Sequence, residues 1–139
     1  MTLRLATRTD IPALQRVRLA VRENMLSDPN RITEADYIAA LETLGCTWVV
    51  EADEAIVAFA TGYKTGSIWA LFVHPNHEGR GFGRALLSTT VNWLWSQGHK
   101  RIWLTTSPNT RAERFYVAQG WQRCGMVQAE LRLELARGP

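Results

Sequence analysis

The chain has 139 residues, a formal net charge of +3, 46% hydrophobic residues and 21% charged residues. That length favours one domain around one core, and the balance is that of an ordinary globular protein. A small positive charge with no Lys/Arg block of five or more leaves nucleic-acid and membrane-surface binding unsupported. The modest basic excess suits a pocket for an anionic small molecule equally well. Cys46 and Cys124 form neither a CxxC pair nor a zinc spacing. They read as reduced, buried thiols, and no metal is expected. Arg4, Arg8 and Asp10 interrupt the region where a secretory apolar segment would lie. The longest apolar run, 68–73, falls far below the roughly 20 residues of a membrane span. The expected location is the cytoplasm.

Residues 3–6 alternate and read as a strand. Asp10 can cap a helix with Pro12 in its first turn and Leu14, Val17 and Val21 on one face. That helix frays over 22–25, and 27–30 reads as a turn. Thr33, with Asp36 three residues on, resembles a capping box for a second helix with Tyr37, Ile38 and Leu41 on its apolar side and Gly45 at its end. Strands follow at 47–52, 55–63 and 67–73, the first two joined by Asp53-Glu54, which is not an ideal turn pair. The third of these strands is apolar on both faces, which predicts a central position. A helix over 81–97 presents Leu87, Val91, Leu94 and Trp95 to the sheet and stops at Gly98. A strand at 101–106, a loop at Pro108 and Asn109, a helix over 110–119 and strands at 125–127 and 129–135 complete the chain. The order βααβββαβαββ predicts a single α/β domain over 1–139, with a mixed central sheet and helices on both faces.

Two segments carry the chemistry. In the first, the apolar strand ending at Val73 runs through His74-Pro75-Asn76-His77 into Glu78-Gly79-Arg80-Gly81-Phe82-Gly83-Arg84 and opens a helix. Such a turn exposes unpaired backbone N–H groups at the positive end of a helix dipole and suits a phosphate or pyrophosphate. A dinucleotide fingerprint needs a different glycine spacing, and a P-loop needs a Gly-Lys-Ser/Thr step that is absent. In the second segment, Asn109 lies seven positions before Tyr116, and Gly120 ends the helix. Together the two segments place a polar anchor and a phenol near whatever the glycine turn holds.

On these residues the chain resembles the GNAT superfamily of N-acetyltransferases, which bind acetyl-CoA. The family's glycine motif follows a Val-x-Pro strand end, as Val73-His74-Pro75 does here. Its later motif is matched by Asn109, Ala112, Phe115, Tyr116, Gly120 and Trp121. The opening 3–6, followed by Thr9-Asp10-Ile11-Pro12, is also similar, so the resemblance covers nearly the whole chain. One departure is Glu78, which stands where the family has Arg or Gln. It is expected to point away from the ligand, leaving Arg80 and Arg84 to supply positive charge.

The resemblance implies a GNAT-like fold and acetyl-CoA as co-substrate. Backbone N–H groups of Gly79, Gly81, Gly83 and Arg84 would hold the pyrophosphate, with Glu78, Arg80 and Phe82 in the same turn. Edge groups of Leu71, Phe72 and Val73 would pair with the pantetheine as an added strand does. It further implies that the Val73 N–H polarises the thioester carbonyl, which is oxyanion-hole logic. Asn109 would anchor the pantetheine or the loop, Ala112 would belong to the cofactor site, and Tyr116 would serve the departing thiolate as general acid. The acceptor amine must lose a proton, and Glu23, His74, Glu130 or a chain of waters are the alternatives for that step. Glu23 and Asn24 in the loop between the first two helices, with Trp69 on the apolar strand, are candidates for the acceptor site. Arg111 and Arg114 read as an exposed helix face. The activity expected is transfer of acetyl to a primary amine of a small molecule or peptide, by direct attack in a ternary complex. A non-catalytic acyl-CoA-binding or sensing module is the alternative. Cys46 and Cys124 lie outside both motifs, against an acetyl-cysteine route. A homodimer through 129–135 is the expectation for assembly.

Overall fold

The computed structural model describes residues 1–21 and 32–139. Its elements are β1 (Thr2–Leu5), α1 (Ile11–Ala20), α2 (Glu34–Glu42), β2 (Gly45–Ala52), β3 (Ala55–Tyr63), β4 (Ile68–Val73), α3 (Phe82–Ser96), β5 (Arg101–Thr106), α4 (Arg111–Ala118), β6 (Gln122–Val127) and β7 (Glu130–Ala136). The order matches the sequence reading.

The strands form two antiparallel sheets, β1-β2-β3-β4 and β5-β7-β6. A parallel bridge between Ser67 and Trp103 joins them at the start of β4. α1 and α2 cover one face of the first sheet, where Leu14, Val17 and Tyr37 pack with Val49, Phe59 and Ala70. α3 covers the other face through Phe82 and Leu86, against Val50, Ala58 and Ala60. Leu87 and Leu94 of α3 and Tyr116 of α4 pack with Ile102, Leu104, Leu131 and Leu133 of the second sheet. Each fully buried aliphatic side chain of this kind contributes about 2 kcal/mol. No helix among the described residues is long and apolar enough to cross a membrane.

Local chemistry explains the element ends. Thr33 caps α2: its Oγ1 accepts from the Asp36 N–H at 3.2 Å while the Asp36 carboxylate accepts from the Thr33 N–H at 2.8 Å. Asp53 and Glu54 both take left-handed φ, 54° and 65°. That is the geometry a two-residue hairpin needs, and two acidic residues adopt it here despite being an uncommon pair for it.

Several expectations are corrected. Asp10 makes no side-chain cap on α1. Its carboxylate accepts from both terminal nitrogens of Arg4, at 2.8 and 3.0 Å, and from the Thr7 N–H at 2.8 Å. Gly45 opens β2 instead of ending a helix. A Cβ there would lie 1.9 Å from the Gly62 carbonyl oxygen, so the β2–β3 pairing requires glycine. β4 is not central within a sheet: it pairs with β3 on one side, and beyond Ser67 no strand of the described residues pairs with its other side. β7 pairs on both sides, so strand addition along 129–135 is blocked. The edges of that sheet are β5, on the side of β4, and β6, where Met126 and Val127 are exposed.

Gly45→Ala is expected to lower unfolding stability by about 1–3 kcal/mol, read by urea denaturation. Arg4 and the Thr7 N–H hold the Asp10 carboxyl below its ordinary range. A depressed folded value contributes stability above the unfolded value of about 3.9, and that stability is lost as pH falls through the folded value. Asp10→Asn is therefore expected to lower Tm at pH 7, and the gap from the unaltered protein should close in melts below about pH 4.

Candidate functional site

The candidate site is the opening between β4 and β5. Trp103 N–H still donates to the Gly66 carbonyl at 3.1 Å, and beyond that point the two strands separate. The resulting cleft has a volume of about 970 Å³. The antiparallel ladder determines which backbone groups face it. His74 N–H donates to the Val57 carbonyl at 2.8 Å, which makes that a hydrogen-bonded pair. By alternation Phe72, expected to offer its edge groups to the cofactor, is instead spent on Phe59, while Val73 and Leu71 turn their N–H and C=O groups toward the open side.

The glycine turn follows directly. Gly79 and Gly81 adopt φ of 78° and 84°, and a Cβ on either would meet nothing within 4 Å, so the space over the turn is free. Gly81 is the N-cap of α3 and gives no side-chain cap. The first amides of α3, on Phe82, Gly83 and Arg84, have no partner within the helix and sit at its positive end. Gly83 lies close under β4: a Cβ would come within 3.4 Å of the Val73 side chain.

The charges around the turn differ from expectation. Glu78 does not point away. It lines the cleft and pairs with Arg111 at 2.9 Å, joining the glycine turn to the start of α4 across the opening. Arg111 is exposed and at the same time lines the cleft. Arg80 turns outward: its Nη1 donates to Asp53 at 2.9 Å and to His77 Nδ1 at 3.1 Å, and its guanidinium lies over the Phe82 ring. Arg84 lines the cleft.

α4 brings Tyr116 to the same opening. Thr110 caps the helix by accepting from the Glu113 N–H at 3.3 Å, and its hydroxyl donates to the Ser107 carbonyl at 2.8 Å. Glu113 accepts from the Asn109 N–H and from Arg123, both at 2.9 Å, and these two partners hold its carboxyl below the ordinary range. Asn109 takes a left-handed φ of 62°; Ala112 lines the cleft and Asn109 does not. Tyr116 is 6% exposed and packs edge-on against Phe115 and Trp121. Burial pushes its phenol well above the ordinary range, so it stays protonated near neutral pH.

On the α1/α2 face the cleft is lined by Arg18, Tyr37, Tyr63, Trp69 and Phe72. Sequence reasoning found Trp69 and missed Arg18, Tyr37 and Tyr63 as lining groups. The available signal was Arg18, a charge beside Leu14 and Val17 on an otherwise apolar helix face. Glu130 of β7 lines the opposite wall. His74 uses its Nδ1 to accept from the Asn76 N–H at 3.1 Å and holds the turn after β4. Glu23 and Asn24 lie outside the described residues.

Comparisons with known proteins agree with this geometry. The family model described as "Acetyltransferase (GNAT) family" matches residues 12–121. An uncharacterized N-acetyltransferase ycf52-like protein of Prochlorococcus marinus is 34% identical over 55 residues, which cover 40% of this chain and 29% of that relative. The chain thus spans less than a third of that relative's length. Among solved structures, a GCN5-related N-acetyltransferase from Rhodopseudomonas palustris superposes with a TM-score of 0.82 at 18% identity, covering 98% of this chain and 95% of the other. The PaiA N-acetyltransferase of Thermoplasma acidophilum in complex with coenzyme A superposes at 0.83 with 12% identity, covering 99% and 100%.

All three tyrosines are held above the ordinary phenol range by burial, Tyr63 up to about 12. An absorbance titration is expected to show no tyrosinate step near the usual value of about 10. A full step there would contradict the enclosure of Tyr116.

Proposed function

Because the chain belongs to the acetyltransferase (GNAT) family, we propose that it moves the acetyl group of acetyl-CoA to a primary amine by direct attack in a ternary complex. The observation that carries this reading is the continuity of three features in one cleft: the open edge of β4, the uncapped start of α3 and the Tyr116 phenol. The residues present suit the co-substrate. The free space over Gly79 and Gly81, beside the amides of Phe82, Gly83 and Arg84, takes a pyrophosphate. Arg84 adds positive charge along the same wall, where Arg111 is paired with Glu78. The edges of Leu71 and Val73 match the spaced amides of pantetheine, as in strand addition.

In the reaction the amine nitrogen bonds to the acetyl carbon and the carbon–sulfur bond breaks. Val73 N–H supplies a fixed dipole where the carbonyl oxygen gains charge, in a site partly shielded from water. Tyr116 donates to the leaving sulfur. A thiol titrates near about 8.5 and a phenol near about 10, and burial raises this phenol further. Hydrogen-bond stabilisation of the thiolate is thus its main contribution, with complete proton transfer secondary. Of the residues considered as base, Glu130 stands on the cleft wall, and ordered water is the other route for the amine proton.

A second reading is a non-catalytic acyl-CoA-binding module, which the departure at Glu78 and the absence of a motif that fixes the base bring forward. Release of CoA by any amine separates the two. Calorimetry with acetyl-CoA is expected to give a Kd on the order of 1–100 µM, lost in Gly81→Asp, which sets a charge and a strained φ at the helix start. Tyr116→Phe is expected to cut kcat by about 100-fold with acetyl-CoA affinity unchanged. An unchanged kcat removes Tyr116 from the mechanism.

A further inference from the structure

The wall of the cleft on the α1/α2 face is not used by the co-substrate contacts above, and its composition is specific. Trp69, Tyr63 and Phe72 line it while only half-buried. Trp69 and Tyr63 stack with ring centroids 5.5 Å apart and planes 15° apart, and Tyr37 meets Trp69 edge-on at 5.8 Å. Large rings left half-covered inside a concave surface retain apolar area that a ligand can bury.

The charges on this wall argue in the same direction. Among the described residues, Arg18 is a buried charged side chain of this wall, 8% exposed, and one of its contacts is the Nε–H it donates to the Tyr37 hydroxyl at 3.1 Å. The Asp36 carboxylate also lines the cleft but accepts from the Thr33 N–H in the cap of α2. Glu130 stands on the far arm. A polyamine or other polycation needs several converging carboxylates to replace its lost hydration. Among the described residues of this wall it would meet the single carboxylate of Asp36 and a stack of rings.

We propose that the acceptor is a primary amine attached within a few bonds to an aromatic body, and that Trp69 and Tyr63 select it by stacking. This rests on the acetyltransferase reading. The transfer forms the amide N–C bond and breaks the C–S bond, the sulfur takes a proton, and the surplus amine proton passes to solvent. The same chemistry is offered by a free arylalkylamine and by a peptide whose first residue is aromatic.

The test begins with acetyl-CoA calorimetry on the full chain, so that failure of the co-substrate site is seen separately. CoA release is then followed with phenethylamine, phenylalaninamide and a tripeptide beginning with Phe, against ethylamine, lysine and spermidine. The aromatic amines are expected to exceed spermidine and lysine in kcat/KM by at least about tenfold. Preference between phenethylamine and the tripeptide assigns the source, and either supports the proposal. Trp69→Ala is expected to bring the phenethylamine-to-ethylamine ratio toward one, mainly through KM. Tyr63→Ala is the second variant should Trp69→Ala fail to fold, with acetyl-CoA binding as the check on folding. Three outcomes overturn the proposal: preference for spermidine or lysine, an equal loss for all amines in both variants, or acetyl-CoA binding without calorimetric binding of any aromatic amine to the CoA complex.

Discussion

The structure depends on where two parallel strands stop pairing. β4 and β5 meet at Ser67 and Trp103 and then part, leaving one side of β4 without a partner strand among the described residues. An unpaired strand edge at a surface invites aggregation. Here the edge is enclosed in a cleft, so its N–H and C=O groups are available to a ligand that mimics a strand. The other functional parts follow from chain connectivity. α3 begins just after β4, and α4 just after β5, so the uncapped helix start and the Tyr116 phenol arrive on the two arms of one opening.

The positive character of the site comes mainly from backbone. Arg80, the most obvious cation of the glycine turn, is committed to Asp53 and to the Phe82 ring. The orphan amides of α3 carry partial charge at fixed positions, which costs no reorganisation when an anion arrives. Arg111 is held at the mouth by Glu78. That pair is exposed enough to contribute little stability. Its consequence is local: the acid that departs from the family pattern faces a cation and not bare solvent.

Much of this was legible in the chain. Periodicity and turn chemistry gave the element order, and the spacing of Gly79, Gly81 and Gly83 after an apolar strand located the cleft's floor. What was not legible was non-local. The apolar run at 68–73 reads the same whether its second edge meets a strand or a cleft, because periodicity reports burial and not the identity of the neighbour. The direction taken by Arg80 depends on Asp53, 27 positions earlier. Asp10 reads as a cap from local sequence, yet Arg4 on β1 claims it. The aromatic wall of Tyr37, Tyr63 and Trp69 assembles from α2, β3 and β4, and no window of sequence contains it.

The most direct test of the central claim is hydrogen exchange on the full chain with and without coenzyme A. The account predicts slowed exchange in peptides containing Leu71, Val73 and the amides of 81–84, with little change in β6 and β7. Binding of coenzyme A that leaves those amides unprotected, or protects another surface in their place, would contradict it.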